Sequence, residues 1–301
     1  MLRIIGRLSL LLAVVALAMV VVSLLAGSAF AVEPQLTYVA EGTDKNTIWL
    51  VDVGRGLRAP LAVLDGQVDG LRWSPDGEQL YFSWRGARHG WRIARLIPGT
   101  GDLTFITSLD NTFWPDLSRD GRLIYQHYDE DDISQIFLMD MDTNQREMLY
   151  YGGLYERTAR PVWSPIAPVI AYEAGLTVGT SDIRLMHVET RQITPLTGTD
   201  FAYIMPTWSP DGADIAYARY GASAANLWRL DVASRTPQPL TETVAFDLFP
   251  AWSPRGDRIA FISNREPDGQ QRIYLINADG TALRLLHQDM QTRSAPAWRP
   301  R

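Results

Sequence analysis

Few residues in this chain are placed to do covalent chemistry. There is no cysteine, which excludes thiol nucleophiles, disulfides and thiolate metal sites. No Gly-x-Ser-x-Gly elbow occurs, because Gly221-Ala-Ser-Ala-Ala225 lacks the closing glycine. P-loop, His-Glu-x-x-His and EF-hand patterns are missing as well. His89, His127, His187 and His287 are scattered, and His187 reads as a structural residue within a strand. The sharpest charge cluster is Asp129-Glu-Asp-Asp132. Carboxylate oxygens suit a hard cation, but the alternation and the glycine of a calcium loop are missing. The competing reading is a solvated hairpin tip. No residue is therefore assigned to catalysis, and no metal or cofactor is implied.

A second group of residues is suited to binding. It comprises Asp69; Asp110, Asn111, Phe113 and Trp114; Tyr155, Glu156 and Arg157; Asp200, Phe201 and Tyr203; and Phe246, Asp247 and Phe249. Aromatic rings with a few placed charges are what binding hot spots use. Each subset lies a few residues upstream of a recurring position, so the repeat decides where they meet.

That position is occupied by Trp73, Leu117, Trp163, Trp208, Trp252 and Trp298, at intervals of 44, 46, 45, 44 and 46 residues. Trp-Ser-Pro-Asp-Gly follows at Trp73 and Trp208, with close variants elsewhere. A constant period of this size marks a repeat architecture. Seven residues after each of the first five anchors stands Leu80, Ile124, Ile170, Ile215 or Ile259. Nine residues after stands Phe82, Gln126, Tyr172, Tyr217 or Phe261. The spacing of two places both on one face of a strand, with Gln126 the exception. Four short strands fit each period, and no sustained 3.6-residue period follows residue 27. Pro sets φ for the turn, Asp bonds its own backbone and Gly supplies positive φ.

The expected fold is all-β: a six-bladed β-propeller of four-stranded antiparallel blades. Tyr38 has the plus-nine role, yet its own anchor would fall at 29, inside the leader. Trp298 is an anchor followed by only three residues. The C-terminal strand at Trp298 is therefore expected to pair with strands 35–66 and close the ring. The upstream loops then converge on the mouth of a central channel. There the named residues form a binding surface, or else the aromatics plug the channel and the acids cap turns.

This grammar resembles the TolB-like six-bladed β-propellers, whose repeats read Pro-x-Trp-Ser-Pro-Asp-Gly followed by Ile-Ala-Tyr or Ile-Ala-Phe. Pro206-Thr-Trp208-Ser-Pro-Asp-Gly212 with Ile215-Ala-Tyr217, and Pro250-Ala-Trp-Ser-Pro-Arg-Gly256 with Ile259-Ala-Phe261, carry the match. The resemblance covers about residues 35–301. It implies a channel mouth that receives a partner segment. TolB proper has an α/β domain before its propeller, which is not expected here. Peptidases with the same repeats carry a hydrolase domain, for which this chain has no room.

The chain has 301 residues, 46% hydrophobic and 21% charged, the balance of a globular protein. A net charge of −6 argues against nucleic acid as a partner. Lys45 is the single lysine. Arg3 and Arg7 precede an uncharged run over residues 8–27, and Ala29-Phe30-Ala31 fits a cleavage site. The run is also long enough to span a bilayer. Residues 1–31 are read as a signal peptide or a signal-anchor helix, and residues 32–301 as the propeller. The location is extracytoplasmic, periplasmic or at the cell surface, with residues 8–27 in the plasma membrane if uncleaved.

The expected function is a non-enzymatic recognition module or scaffold. Its partner is a protein or peptide of the cell envelope, held by Asp69, Asp110, Phe113, Trp114, Glu156, Arg157, Asp200, Phe201, Tyr203, Asp247 and Phe249. The alternative is a hydrolase, lyase or carbohydrate-binding propeller using channel-mouth carboxylates.

Overall fold

A computed structural model describes residues 34–42, 45–153, 156–176 and 179–300. The apolar run of residues 8–27 and the cleavage pattern lie outside the described residues. Among those that are described, no helix is long and apolar enough to cross a membrane.

Turn chemistry starts each unit. Ser74 Oγ donates to Asp76 and accepts the Gln79 amide, while the Gly77 amide donates to the Ser74 carbonyl. Gly77 has φ of 72°, and a Cβ there would lie 2.8 Å from the Pro300 carbonyl oxygen. Both facts require glycine. The same hydroxyl–carboxylate bond forms between Ser118 and Asp120, and between Ser209 and Asp211. Where Arg255 replaces the aspartate, Ser253 Oγ turns to Asp257. Asp76, Asp120 and Asp211 are thus turn residues.

The strands, in chain order, begin with β1 (Gln35–Ala40), β2 (Lys45–Asp52) and β3 (Arg58–Asp65). The first blade is β4 (Gln67–Trp73), β5 (Leu80–Arg85), β6 (Trp91–Ile97) and β7 (Asp102–Phe105). The second is β8 (Thr112–Leu117), β9 (Arg122–Tyr128), β10 (Ser134–Asp140) and β11 (Arg146–Tyr151). The third is β12 (Glu156–Trp163), β13 (Val169–Leu176), β14 (Asp182–His187) and β15 (Ile193–Pro195). The fourth is β16 (Ala202–Trp208), β17 (Asp214–Tyr220), β18 (Ala225–Asp231) and β19 (Thr236–Pro239). The fifth is β20 (Asp247–Trp252), β21 (Arg258–Ser263), β22 (Arg272–Asn277) and β23 (Arg284–Leu285), and β24 (Ala297–Arg299) comes last. Six four-stranded sheets result, and the sixth has the order β24-β1-β2-β3. In it Leu36 pairs with Trp298 and Thr37 with Ala297, antiparallel.

Six apolar clusters each join two neighbouring blades, and together they close the ring. Each cluster contains one anchor. Trp73 packs between the sixth and first blades, Leu117 between the first and second, and Trp163 between the second and third. Trp208, Trp252 and Trp298 fill the remaining interfaces in order. A buried tryptophan covers roughly 150–250 Å², so at five of the six interfaces one indole is a large part of the spacer, and at the first–second interface the smaller Leu117 takes its place. Phe82, Tyr172, Tyr217 and Phe261 are buried on the predicted face, and Gln126 is buried in the same place. At Asp129 the carboxylate accepts the amides of Asp131 and Ile133 and the Gln135 side chain. Asp132 has φ of 61°. Among the described residues no group of three His, Asp or Glu is placed to hold a metal ion.

Candidate functional site

The inner strands β4, β8, β12, β16, β20 and β24 line the channel. Each runs from the opening where the chain enters it, here called upper, to the turn after its anchor. In five of them the register breaks three residues before the anchor. Gly70, Trp114, Arg160, Met205 and Phe249 stand there, with φ of 64°, 54°, 48°, 58° and 56°. Proline follows the last four, and it has no N–H to give to a ladder. A bulge of this kind re-aims a side chain, here toward the channel axis.

A bulge also takes an amide out of the ladder, and a buried amide needs an acceptor. The neighbouring blade supplies one. The Trp114 amide donates to Ser83 Oγ at 3.0 Å, the Met205 amide to Glu173 Oε1 at 2.6 Å, and the Phe249 amide to Met205 Sδ at 3.2 Å. Glu173 serves twice. Its two oxygens also accept Arg160 Nη1 at 3.0 and 3.1 Å.

The bulged side chains meet. Trp114 and Phe249 stack with centroids 6.0 Å apart and planes at 20°. They come from the second and fifth blades, which face each other in a ring of six, so the stack spans the channel. The Arg160 guanidinium lies 4.5 Å from the Trp114 ring and 5.7 Å from the Phe249 ring, close enough for cation–π attraction. Gly70 makes room for the indole: a Cβ there would lie 3.1 Å from Trp114 Cε3. The channel is thereby divided at its waist.

The acids of the upper opening are engaged. Asp247 is fully buried and accepts two 2.8 Å bonds from Arg265. Asp110 pairs with Arg92, whose hydrogen bond holds the carboxyl below its usual value. Glu156 accepts from Arg184 and, at 2.8 Å, from the Tyr150 hydroxyl. Burial and then Glu156 push that phenol up to about 12. Asp200 accepts from the Tyr203 hydroxyl at 2.7 Å, and burial followed by this bond raises Tyr203 to about 12. Asp69 accepts the Gly70 amide at 2.8 Å and Ser294 Oγ at 2.9 Å. Burial raises its carboxyl, against those bonds and the charge of Arg160. Among the aromatics, Phe113 packs between Trp91 and Tyr128 at 5.4 and 5.8 Å, and Arg219 lies 4.5 Å over Phe201. Arg157 is exposed.

The placement differs from the loop arrangement read from the sequence. Asp69, Phe113, Trp114, Glu156, Arg157, Tyr203, Asp247 and Phe249 belong to the inner strands themselves. Only Asp110, Asn111, Asp200, Phe201 and Phe246 precede them, and Tyr155 lies outside the described residues. Trp114 and Phe249 form the waist rather than the rim. Arg160, Met205, Gly70 and Glu173 were not singled out. The first three share the offset of Trp114 and Phe249, three residues before the anchor, and that offset is the signal that finds them.

The family model described as the TolB beta propeller domain matches residues 156–301. The crystal structure of TolB from Acinetobacter baumannii superposes with a TM-score of 0.78 at 20% identity, covering 89% of this chain and 67% of that one. Putative TolB from Agrobacterium tumefaciens gives 0.70 at 21% identity, covering 82% and 90%. An oligogalacturonate lyase in complex with manganese gives 0.55 at 14% identity, covering 80% and 70%. At these identities the superpositions show the fold alone. An uncharacterized protein of Agrobacterium fabrum is 30% identical over 137 residues, which are 42% of this chain and 46% of that protein. The match therefore spans less than half the length of this curated relative. Residues 156–301, just under half of the chain, match the TolB beta propeller domain, and the repeat and blade count are those of a six-bladed propeller.

Proposed function

We propose that the upper opening receives an extended segment of a protein partner in the cell envelope, and that the chain acts in recognition rather than catalysis. One observation carries this reading. Trp114, Arg160, Met205 and Phe249 are bulky residues held at positive φ, where each costs about 1–3 kcal/mol. Four such residues at one waist favour a site that is built, because strain of this kind gathers at functional positions. Above this floor, Phe201, Phe113 and the exposed Arg157 offer aromatic and cationic contacts of the type that dominate interfaces. The uncharged run over residues 8–27 and the TolB-like match support an extracytoplasmic location, periplasmic or at the cell surface. That run serves as a cleaved signal peptide or as a membrane anchor. The test is capture of envelope proteins by the folded domain. Arg157→Glu with Phe201→Ala should reduce capture at least tenfold, with the melting transition unchanged. Undiminished capture contradicts the reading.

A second reading has its own observation. A cleft of about 420 Å³ lies on the upper face between the sixth and first blades, lined by Trp91, Glu41, Asn46, Gln67, Asp69 and Arg293 among others. An aromatic platform with carboxylates and amides suits a saccharide, and one structural neighbour is an oligogalacturonate lyase. Binding of oligosaccharides that is lost in Trp91→Ala would favour this second reading over the first.

A further inference from the structure

Below the waist the channel widens into a cup of about 240 Å³ that opens on the face opposite the partner opening. Its wall includes the indoles of Trp163, Trp208, Trp252 and Trp298. Only two of its lining residues carry charge, Arg72 and Asp116. Both stand immediately before an anchor, in adjacent blades.

The two charges are not equivalent. Both Asp116 oxygens are engaged: Oδ1 lies 3.3 Å from Arg72 Nε, and Oδ2 accepts the Trp163 amide at 2.7 Å. Arg72 spends only its Nε edge on this pair. Its Nη1 and Nη2 groups make no hydrogen bond among the described residues, and they are not sealed off. Its side chain is 28% exposed. Arg72 lines the cup at its boundary with the waist, so two ends of a guanidinium fork stand there with donors to spare, the geometry that suits a carboxylate. The indole N–H groups of Trp163, Trp208 and Trp252 are buried without partners, so three wall dipoles are uncompensated in a medium where charge interactions are strong. Among the charged groups of the lining, Arg72 is the one with hydrogen-bonding capacity to spare. The rest of the lining is mainly tryptophan and proline, with small aliphatic residues and the hydroxyl residues Thr207 and Ser209, and the volume lies below the ~300–1,000 Å³ of sites that hold larger ligands.

We propose that the lower cup binds a small aromatic carboxylate, its anionic head on Arg72 Nη1 and Nη2 and its ring against the tryptophan wall. This site is separate from the upper opening and does not depend on the function proposed there. A carboxylate can come from a free acid or from the end of a peptide chain, and the cup's size favours the free acid.

Binding is read by tryptophan fluorescence and calorimetry on the folded chain, with benzoate as the probe. Benzamide and benzylamine have the same ring with a neutral or cationic head, and Gly-Gly-Phe supplies a peptide carboxylate. Saturable binding of benzoate is expected, at least tenfold tighter than benzamide, benzylamine or Gly-Gly-Phe. Arg72→Gln should lose it at least tenfold. If leaving Asp116 unpaired unfolds that variant, Arg72→Gln with Asp116→Asn removes both charges at nearly constant shape and should lose binding equally. No binding of benzoate, equal binding of benzamide, or undiminished binding in the folded variants overturns the proposal. Preference for Gly-Gly-Phe overturns it in favour of a chain end.

Discussion

Replacing an anchor tryptophan by phenylalanine should cost different amounts in different blades, although the repeat makes the positions equivalent. Trp298 and Trp252 are matched in burial, at 7% and 8% exposed. Each fills one blade interface, so the change removes a similar apolar area at both. The indole N–H groups differ. Trp298 Nε1 donates to the Ala251 carbonyl of the fifth blade at 2.9 Å, whereas Trp252 Nε1 is buried with no partner. Trp298→Phe therefore loses a cross-blade hydrogen bond, which contributes about 0.5–1.5 kcal/mol. Trp252→Phe deletes a donor that was already unpaired and loses none. The expected difference is about 0.5–1.5 kcal/mol, with Trp298→Phe the less stable. Against a total stability of about 5–15 kcal/mol this is readily measured. Urea unfolding gives the comparison, provided the slope stays common to the two variants. Equal costs, or a larger cost at Trp252, would refute the claim that a cross-blade hydrogen bond separates these interfaces.

Deleting residues 296–301 removes β24 and, with it, the pairing of Trp298 to Leu36. Cooperative unfolding should be lost, and an unchanged melting transition would contradict closure through that strand. Gly70→Ala puts a Cβ on a residue at φ 64° and 3.1 Å from the Trp114 ring. It should cost about 1–2 kcal/mol in backbone strain alone and change the near-ultraviolet dichroism of the displaced indole; an unchanged spectrum argues against the packing. Asp69→Asn tests the burial of that carboxyl. Its folded value is raised from the ordinary 3.8, with desolvation the leading cause. The group's stabilising contribution is therefore full below 3.8 and is lost as pH rises through the higher folded value. The variant does not titrate, so its stability relative to the parent should improve between pH 4 and 7. A difference that stays constant with pH would contradict this.

Blade number and register were legible because they are written locally. The Trp-Ser-Pro-Asp-Gly turn closes through atoms a few residues apart, and alternation at plus seven and plus nine needs only a strand. The waist was less legible. Trp114 and Phe249 touch only because their blades oppose each other, and Glu173 reaches Arg160 and the Met205 amide from a neighbouring strand. Arg160 and Met205 are neither acidic nor aromatic, yet they share the decisive offset. The ion pairs of the acids were not legible because their partners are remote in sequence. Asp110 meets Arg92 and Asp247 meets Arg265, in each case 18 residues away. Positive φ at bulky residues has no residue-type signature, since bulge and ring geometry impose it. The following proline was its only trace.

The central claim is that partners approach the upper opening and stop at the waist. The most direct measurement is site-specific photo-cross-linking in intact envelopes. A benzoyl-phenylalanine probe would replace Phe201 or Arg157 at the upper opening, Asp76 or Asp211 in the lower turns, and Val63 on the outer edge. Adducts with an envelope protein from the two upper positions, and none from the other three, are the predicted result. Adducts confined to the lower turns or the outer edge would contradict the account.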